Sequence, residues 1–472
     1  MTTLSQRIRP APETAPKPAD SVLDMIGCTP MLALRNTDTG PCRLFVKLEN
    51  QNPGGSIKDR IGLSMIEAAE RDGVLAPGGT IIEATAGNTG LGLALVAAQT
   101  GYRLIIVMPD KMSQEKIFHL RALGAEVLLT RSDVGKGHPE YYQDYAERLA
   151  RETPGAFYVN QFANPANPRA HETATAPEIW AQMEGRLDAV ICGVGSGGTL
   201  TGLGRYFQRV APHVEMVLAD PEGSILADYV KKGELGNVAG SWLVEGIGED
   251  FVPPVSDLAL VRRAYAISDA ESFETARALL RREGILCGSS TGTLVAAALR
   301  YCRAQTTPKR VVTFACDSGN KYLSKMYNDY WMMDQGFIER DRRGDLSDLI
   351  SRRHVEHATY TIGPDEPLST ALSRMKLYDV SQLPVIEDER IVGIIDESDI
   401  LLAVYDREDR FREPVRNAMT AKLETVTPTT PVEALLPVFA RDHVAIVADE
   451  AGRFLGLITR IDLLNYLRRR QK

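Results

Sequence analysis

The sequence predicts an α/β protein with several domains and a mainly parallel sheet in its larger, N-terminal part. Three observations lead to this class. Short apolar runs alternate with helical stretches between residues 22 and 331, and several of these runs are apolar almost throughout, as strands covered by helices on both faces are. An internal repeat follows. The length of 472 residues suits about three domains of roughly 150 residues each.

The elements of the larger part are predicted from local pattern. "SMIEAAERDG" (64–73) and "LGLALVAAQTG" (91–101) have helix-forming interiors and end in a glycine suited to a helix C-cap. The predicted strands are, in chain order, "RLFVKLE" (43–49), "TIIEA" (80–84), "RLIIVMP" (103–109), "EVLLT" (126–130), "DAVICGVG" (188–195), "VEMVLAD" (214–220) and "RVVTFACD" (310–317).

The amino-acid composition limits the classes of molecule that the protein is expected to bind. The 62 acidic and 54 basic residues give a net charge of -8, which offers no footprint for nucleic acid, so we expect small-molecule partners. The six cysteines form no C-x-x-C pair and no metal-like cluster with the seven histidines, which predicts no metal site and fits a reducing cytoplasm. Residues 1–21 are polar and Pro-rich, so we expect a flexible tail that is neither a signal nor a membrane anchor.

The C-terminal part contains two related copies. "RIVGIIDESDILLAV" is echoed by "RFLGLITRIDLLNYL", and Gly456 and Asp462 each lie 63 residues beyond Gly393 and Asp399. Each copy reads as helix, strand, tight turn, strand, helix, and two copies suggest a pseudo-symmetric pair. The predicted divisions are a tail (1–21), a core (22–335), a linker with a short helix (336–352), and a module (353–472) with repeats at about 353–412 and 413–472.

A glycine-rich loop, "GVGSGGTLTG" (193–202), lies between a predicted strand and a predicted helix. Its N–H groups and the helix N-terminus suit a phosphate. The loop also spells G-x-G-x-x-G, and Asp220 lies 22 residues beyond Gly198, so a dinucleotide site is an alternative, as is a purely structural turn.

Two further segments favour a different cofactor. "EATAGNTGLGLA" (83–94) is a second strand, small-residue loop and helix, suited to a carboxylate, and "PGGSIKDR" (53–60) carries Lys58 beside two glycines. A pyridoxal phosphate enzyme needs a lysine, a phosphate cup and a carboxylate clamp together. A dinucleotide enzyme has no need for the lysine and the second loop.

Six motifs occur in this order along the chain: "NPGGSIKDR", "TAGNTG", "NQFANPANP", "GVGSGGTLTG", "VEGIG" and "GILCGSSTG". Because of this series, residues 25–330 resemble the fold type II pyridoxal phosphate family. Within it, the sequence is most similar to the cystathionine β-synthases and their sister family, the cysteine synthases. The C-terminal copies resemble a tandem pair of CBS domains, a Bateman module. The resemblance implies two α/β subdomains with mainly parallel sheets, followed by this module.

The resemblance also assigns roles to residues. Lys58 matches the Schiff-base lysine that moves the Cα proton, Asn88 the residue beside the cofactor's phenolic oxygen, and Ser290 the hydroxyl that faces the pyridine nitrogen, although Ser290 is also placed to cap a helix. The phosphate loop matches Gly195, Ser196, Gly197, Gly198 and Thr199, and the substrate carboxylate clamp matches Thr85, Gly87, Thr89 and Gln161.

Two features favour the cystathionine β-synthases over the cysteine synthases. One is Glu245, at a position where cysteine synthases usually carry glutamine, and the other is the pair of CBS copies. Phe162 is typical of the cysteine synthases, and Ala86 departs from the commoner serine of both. We expect β-replacement of L-serine, or L-cysteine, by L-homocysteine to give L-cystathionine and water, or hydrogen sulfide, in transsulfuration. The alternative is cysteine synthesis from O-acetylserine and sulfide. Glu245 is expected to orient or deprotonate near the second substrate, or to be a salt-bridge partner.

The remaining expectations concern other ligands. Heme-binding members use a cysteine and a histidine in an N-terminal extension; here the first histidine is His119 and Cys28 lies in the core motif "IGCTP", so no heme is expected.

Thr459 and Asp462 match the adenosyl-ligand motif of CBS domains, and Asp399 is the counterpart of Asp462 in the first copy. S-Adenosylmethionine or an adenine nucleotide is the expected ligand, although a first-turn carboxylate also suits a helix by itself. The family implies a homodimer or a higher homo-oligomer.

Overall fold

The computed structural model describes residues 18–85, 87–110, 112, 114–234, 240–340 and 343–469. Most of the predicted tail therefore lies outside the described residues. The chain divides into two compact units, Met1–Tyr327 and Asn328–Lys472. The division predicted between residues 335 and 336 stays a prediction. Within the described ranges, no helix is both long and apolar enough to cross a membrane.

The first unit alternates strands and helices along the chain. Its strands are β1 (Met31–Ala33), β2 (Arg43–Lys47), β3 (Thr80–Ala84), β4 (Arg103–Pro109), β5 (Glu126–Thr130), β6 (Ala156–Tyr158), β7 (Ala189–Cys192), β8 (Glu215–Pro221), β9 (Arg263–Ile267) and β10 (Arg310–Phe314). Its helices are α1 (Lys58–Arg71), α2 (Asn88–Thr100), α3 (Gln114–Ala122), α4 (Tyr142–Glu152), α5 (Ala166–Ala170), a π-helical turn (His171–Thr175), α6 (Ala176–Gln182), α7 (Gly198–Val210), α8 (Leu226–Lys232), α9 (Asp269–Glu283) and α10 (Ser289–Arg303).

Two sheets organise this unit. One has the strand order β1-β2-β10-β7-β8-β9, and the other has the order β5-β4-β3-β6. Neighbouring strands are parallel throughout except for the antiparallel pair β1 and β2. All seven predicted apolar runs form strands of these sheets. The predicted fold, two α/β subdomains with mainly parallel sheets, is confirmed.

Successive side chains of the four-stranded sheet pack on opposite faces of the sheet. On β3, Ile81 packs into one apolar cluster with Met65 of α1 and Leu91 of α2, whereas the next residue, Ile82, packs with Ala146 of α4. Successive side chains on a strand point to opposite faces. Helices therefore cover both faces, which explains why the strands are apolar almost throughout.

Glycines bring α1 and α2 into close contact. A Cβ atom on Gly62 would lie 2.7 Å from the carbonyl carbon of Gly92, and one on Gly92 would lie 2.8 Å from the carbonyl oxygen of Lys58. Only a hydrogen fits at either position. The first turn of α1, with Lys58, is thereby held against the start of α2, with Asn88.

The second unit contains both copies of the repeat. Its elements are α11 (Asp329–Gln335), α12 (Leu368–Tyr378), β11 (Gln382–Glu387), β12 (Arg390–Asp396), α13 (Glu397–Val404), β13 (Thr425–Val426), α14 (Leu435–Ala440), β14 (Ala445–Ala448), β15 (Phe454–Ile458) and α15 (Arg460–Arg469). Each copy has the predicted order of helix, strand, turn, strand and helix. In the first turn, Asp388 and Glu389 have φ values of 49° and 61°, as a tight hairpin requires. Leu346 and Ile350, from the predicted linker, pack into the core of the second copy.

Candidate active site

A cavity of about 650 Å³ opens in the first unit where β3, β7 and β10 end, and Ala84, Cys192 and Phe314 line it. Ligands of open parallel sheets bind at this edge. The cavity brings together nearly all the predicted site residues of this unit: Lys58, Thr85, Gly87, Asn88, Thr89, Gln161, Gly195, Ser196, Gly197, Thr199, Glu245 and Ser290.

Lys58 is the first residue of α1, and its Nζ donates to Ser196 Oγ at 3.3 Å. Burial of the ammonium group lowers the pKa of Lys58 from its ordinary value of 10.5, and the neighbouring Cys316 and Glu249 side chains oppose this shift only in part. An amine with a lowered pKa spends more time unprotonated. Lys58 is therefore suited to act as a nucleophile and proton carrier.

The glycines of the predicted phosphate loop have no room for a side chain. Gly197 has a φ of +88°, and a Cβ on it would lie 1.7 Å from Ser256 Oγ, while a Cβ on Gly198 would lie 1.8 Å from Asn167 Oδ1. The loop precedes the thirteen-residue helix α7, whose first N–H groups have no partner within the helix. Ser256 Oγ is buried and has no hydrogen-bond partner among the described residues. This set of donors fits a phosphate group.

The second loop, at the start of α2, holds the predicted carboxylate clamp. The Gly87 N–H donates to Thr85 Oγ1 at 3.3 Å, and Thr89 Oγ1 donates to Gln161 Oε1 at 2.7 Å. Ala86 lies outside the described residues. Hydroxyls, an amide and a helix N-terminus converge here, and this combination fits a carboxylate.

Glu83, which sequence reasoning missed, lies behind the clamp. Burial raises its pKa to about 8, although the Gln161 N–H donates to its Oε1. Its Oε2 has no hydrogen-bond partner in the described part of the chain. Because Glu83 is mostly uncharged at neutral pH, it does not repel an anion in the clamp.

Asn88 and Ser290 are fixed by partners that follow β10. The amide of Asn88 donates to Asp317 Oδ2 at 2.9 Å and accepts from Lys321 Nζ at 2.7 Å. Ser290 is buried in the first turn of α10 and hydrogen-bonds with the Cys316 thiol. Sequence reasoning missed Asp317 and Lys321, and the available signal was the polar "CDSGNK" segment directly after a buried strand.

Glu245 forms ion pairs with two lysines that sequence reasoning also missed. It contacts Lys116 and lies 2.7 Å from Lys325 Nζ. Burial favours the protonated carboxyl, but the charges of the two lysines outweigh it and lower the pKa of Glu245. A carboxylate held in this way is a weak base, which favours the orienting role over deprotonation.

The predicted regulatory residues lie in the second unit. Thr459 donates to Asp462 Oδ2 through its N–H at 2.7 Å and through its hydroxyl, and Ser351 donates to Asp462 Oδ1. Asp399 instead forms a capping box with Asp396 at the start of α13. Both acids therefore occupy helix N-termini, and Asp462 shares its carboxylate with residues of its own unit.

Comparison with known proteins places these features in a family. Residues 22–317 match the model for "Pyridoxal-phosphate dependent enzyme", and residues 346–406 and 415–469 match "CBS domain". The chain is 36% identical to the cystathionine β-synthase of Dictyostelium discoideum, over 96% of this chain and 93% of that protein. The chain belongs to the cystathionine β-synthase family. Its relative from Oryctolagus cuniculus is also 36% identical, over 96% of this chain and 86% of that protein.

Two solved structures are also similar to this member of the cystathionine β-synthase family. A hydrogen sulfide-producing enzyme from Fusobacterium nucleatum is 39% identical with a TM-score of 0.60, covering 65% of this chain and 100% of its own. An O-ureido-L-serine synthase is 35% identical with a TM-score of 0.61, covering 70% of this chain and 99% of its own. The predicted pyridoxal phosphate cofactor and tandem CBS domains are confirmed, and the loops described above fit the cofactor.

The buried Glu83 predicts how stability depends on pH. Between pH 4.5 and about 8, the folded chain keeps a proton on Glu83 that the unfolded chain releases. The contribution of this group to the free energy of unfolding therefore falls as pH rises, by up to about 1.4 kcal/mol per pH unit. We expect Glu83→Gln to flatten this fall, measured by urea unfolding of the full chain without cofactor. Glu67→Gln, the same change at an exposed site, is the control, and equal slopes for wild type and Glu83→Gln would contradict the prediction.

Proposed function

We propose that this enzyme condenses L-serine with L-homocysteine to give L-cystathionine and water, and that L-cysteine in place of serine gives hydrogen sulfide. The observation that carries the proposal is the position of Lys58, a lysine of lowered pKa in one cavity with a phosphate loop and a carboxylate clamp. The relatives named cystathionine β-synthase, which match almost the full chain, support it and disfavour the cysteine synthase alternative.

The cofactor's place follows from the donors in the cavity. We assign its phosphate to the loop Gly195, Ser196, Gly197, Gly198 and Thr199, its phenolic oxygen to Asn88 and its pyridine nitrogen to Ser290. When bound, pyridoxal phosphate supplies the electron sink that allows bonds at the substrate's α-carbon to break. A serine hydroxyl does not hold the pyridine nitrogen protonated, so this sink is moderate and suits loss of a β-substituent.

The residues of the chain bind the first substrate and move its protons. The carboxylate of the substrate serine is held by Thr85, Gly87, Thr89 and Gln161. Lys58 takes the Cα proton, because its buried amine has a lowered pKa, and returns a proton to the β-hydroxyl as it leaves as water. Tyr142 and Phe162 line the same cavity.

The proposal is tested by assaying the purified enzyme with serine plus homocysteine and, separately, with O-acetylserine plus sulfide. We expect cystathionine formation to be the faster reaction and Lys58→Ala to lose at least about a thousandfold in kcat, since both the nucleophile and the proton carrier are removed. Cystathionine formation at the rate of the Lys58→Ala control would overturn the proposal. Faster synthesis of cysteine would assign the enzyme to the alternative reaction.

Glu245 and its two lysines form a zwitterionic site at the cavity wall. We propose that they orient the second amino acid, with Glu245 facing its ammonium group and Lys116 and Lys325 facing its carboxylate. Opposite charges held within a cavity recognise both ends of an amino acid at once.

The change Glu245→Gln tests this role. We expect KM for homocysteine to rise at least about tenfold, since a charged hydrogen bond is worth about 1.5–3 kcal/mol, while KM for serine changes less than about twofold. Glu249→Gln, a glutamate of the same cavity with no ion pair among the described residues, is the matched control in steady-state kinetics. An unchanged KM for homocysteine in Glu245→Gln would contradict this role and would leave Glu245 as a salt-bridge partner of the two lysines.

We further propose that the second copy of the CBS module binds an adenosyl ligand, S-adenosylmethionine or an adenine nucleotide, through Thr459 and Asp462.

We also propose that the enzyme is cytoplasmic and forms a homodimer or a higher homo-oligomer. The six free cysteines support a reducing compartment, and exposed apolar side chains of the second unit, including Leu402 and Tyr405, support self-association.

Thermal shift tests the adenosyl site. A ligand that binds the folded state raises its melting temperature, so we expect S-adenosylmethionine or an adenine nucleotide to stabilise the wild type and Asp399→Ala, and to have no effect on Asp462→Ala. Stabilisation lost in Asp399→Ala but kept in Asp462→Ala would place the ligand in the first copy. No shift with any of these compounds would contradict the proposal.

A further inference from the structure

Lys321 makes a defined contact with Asn88, a residue that lines the cavity. It belongs to the single-turn 3-10 helix Gly319–Tyr322, which follows β10, and its Nζ donates to Asn88 Oδ1 at 2.7 Å. The same Asn88 donates through Nδ2 to Asp317 Oδ2 at 2.9 Å, and Tyr322 Oη donates to that oxygen at 2.8 Å. Asn88 is therefore held between an ammonium and a carboxylate.

These two partners fix the orientation of the Asn88 amide. An ammonium group only donates hydrogen bonds and an ionised carboxylate only accepts them. A flipped amide would direct its NH2 group at Lys321 and its carbonyl at Asp317, losing both bonds. The amide nitrogen carries two hydrogens, and Asp317 takes one of them. The second is left for a group in the cavity, which Asn88 lines.

The charges around Lys321 support this role. Burial lowers the pKa of Lys321, the carboxylates of Asp317 and Asp59 oppose that shift, and the nearby charge of Lys116 adds to it. Lys321 is thus a half-buried lysine whose hydrogen bond to Asn88 links it to the cavity. No described contact links it to the phosphate loop or to the carboxylate clamp.

We propose that Lys321 is a positioning residue that directs the free N–H of Asn88 toward the phenolic oxygen of pyridoxal phosphate and stabilises that oxygen as an anion. This rests on the assignment of Asn88 in the proposed function. A donor aimed at an anionic oxygen is worth more than one aimed at a neutral hydroxyl, so removing Lys321 favours the protonated phenol. The bound cofactor reports this state directly in its absorption spectrum.

The experiment records the visible spectrum of the cofactor-loaded enzyme, full chain, for the wild type, Lys321→Met, Lys321→Arg and Lys325→Met. Lys325 is the matched control, because it is a lysine of the same segment that pairs with Glu245 instead of Asn88. We expect Lys321→Met to lower the ratio of the long-wavelength band to the short-wavelength band by about tenfold, which corresponds to one pKa unit of the phenol. Lys321→Arg restores the ratio, and Lys325→Met keeps it.

The outcomes separate the inference from the proposed function. A wild type that binds no pyridoxal phosphate defeats the proposed function itself. A loaded Lys321→Met with the wild-type ratio, or an equal fall in Lys325→Met, overturns the role of Lys321 alone. Should Lys321→Met fail to fold, as seen by circular dichroism, Lys321→Leu, which also lacks a hydrogen-bond donor, is read in its place, and an unchanged ratio there overturns the inference in the same way.

Discussion

The site depends on the close crossing of α1 and α2. Gly62 and Gly92 allow the two helices to approach so closely that a single methyl group on either glycine would overlap backbone atoms. Lys58 opens one helix and Asn88 opens the other. The crossing therefore sets the separation of Lys58 from Asn88, the two residues that we propose contact the cofactor, and packing of this kind tolerates little displacement.

The charges of the glutamates at the cavity allow it to hold anions. Three glutamates line or underlie it, and burial raises the pKa of Glu83 and of Glu249 to about 8, so both are mostly neutral at neutral pH. Only Glu245 has a lowered pKa, because Lys116 and Lys325 hold it ionised. A phosphate and two substrate carboxylates can then share the cavity without strong repulsion from the protein.

Sequence reasoning predicted the elements whose signal is local. Strands such as β3 and β4 are mostly apolar because helices bury both faces, and the glycine loops stand directly between a strand and a helix. It missed β1 and β6, which are three residues long, and β9, a partly exposed edge strand. It also missed Lys116 and Lys325, since a pairing between Glu245 and a lysine 129 residues earlier in the chain leaves no local pattern. Residues that act through another residue are visible only once the fold brings them together.

We propose that Lys58 is the lysine that bonds to pyridoxal phosphate, although Lys116 and Lys325 line the same cavity and Lys321 contacts Asn88. Reduction of the loaded enzyme with borohydride makes the bond between lysine and cofactor permanent, and mass spectrometry of the peptides then locates it. The account predicts a pyridoxyl group on the peptide that contains Lys58 and on no other. A label on Lys116, Lys321 or Lys325, or no label after reduction of an enzyme that binds the cofactor, would contradict it.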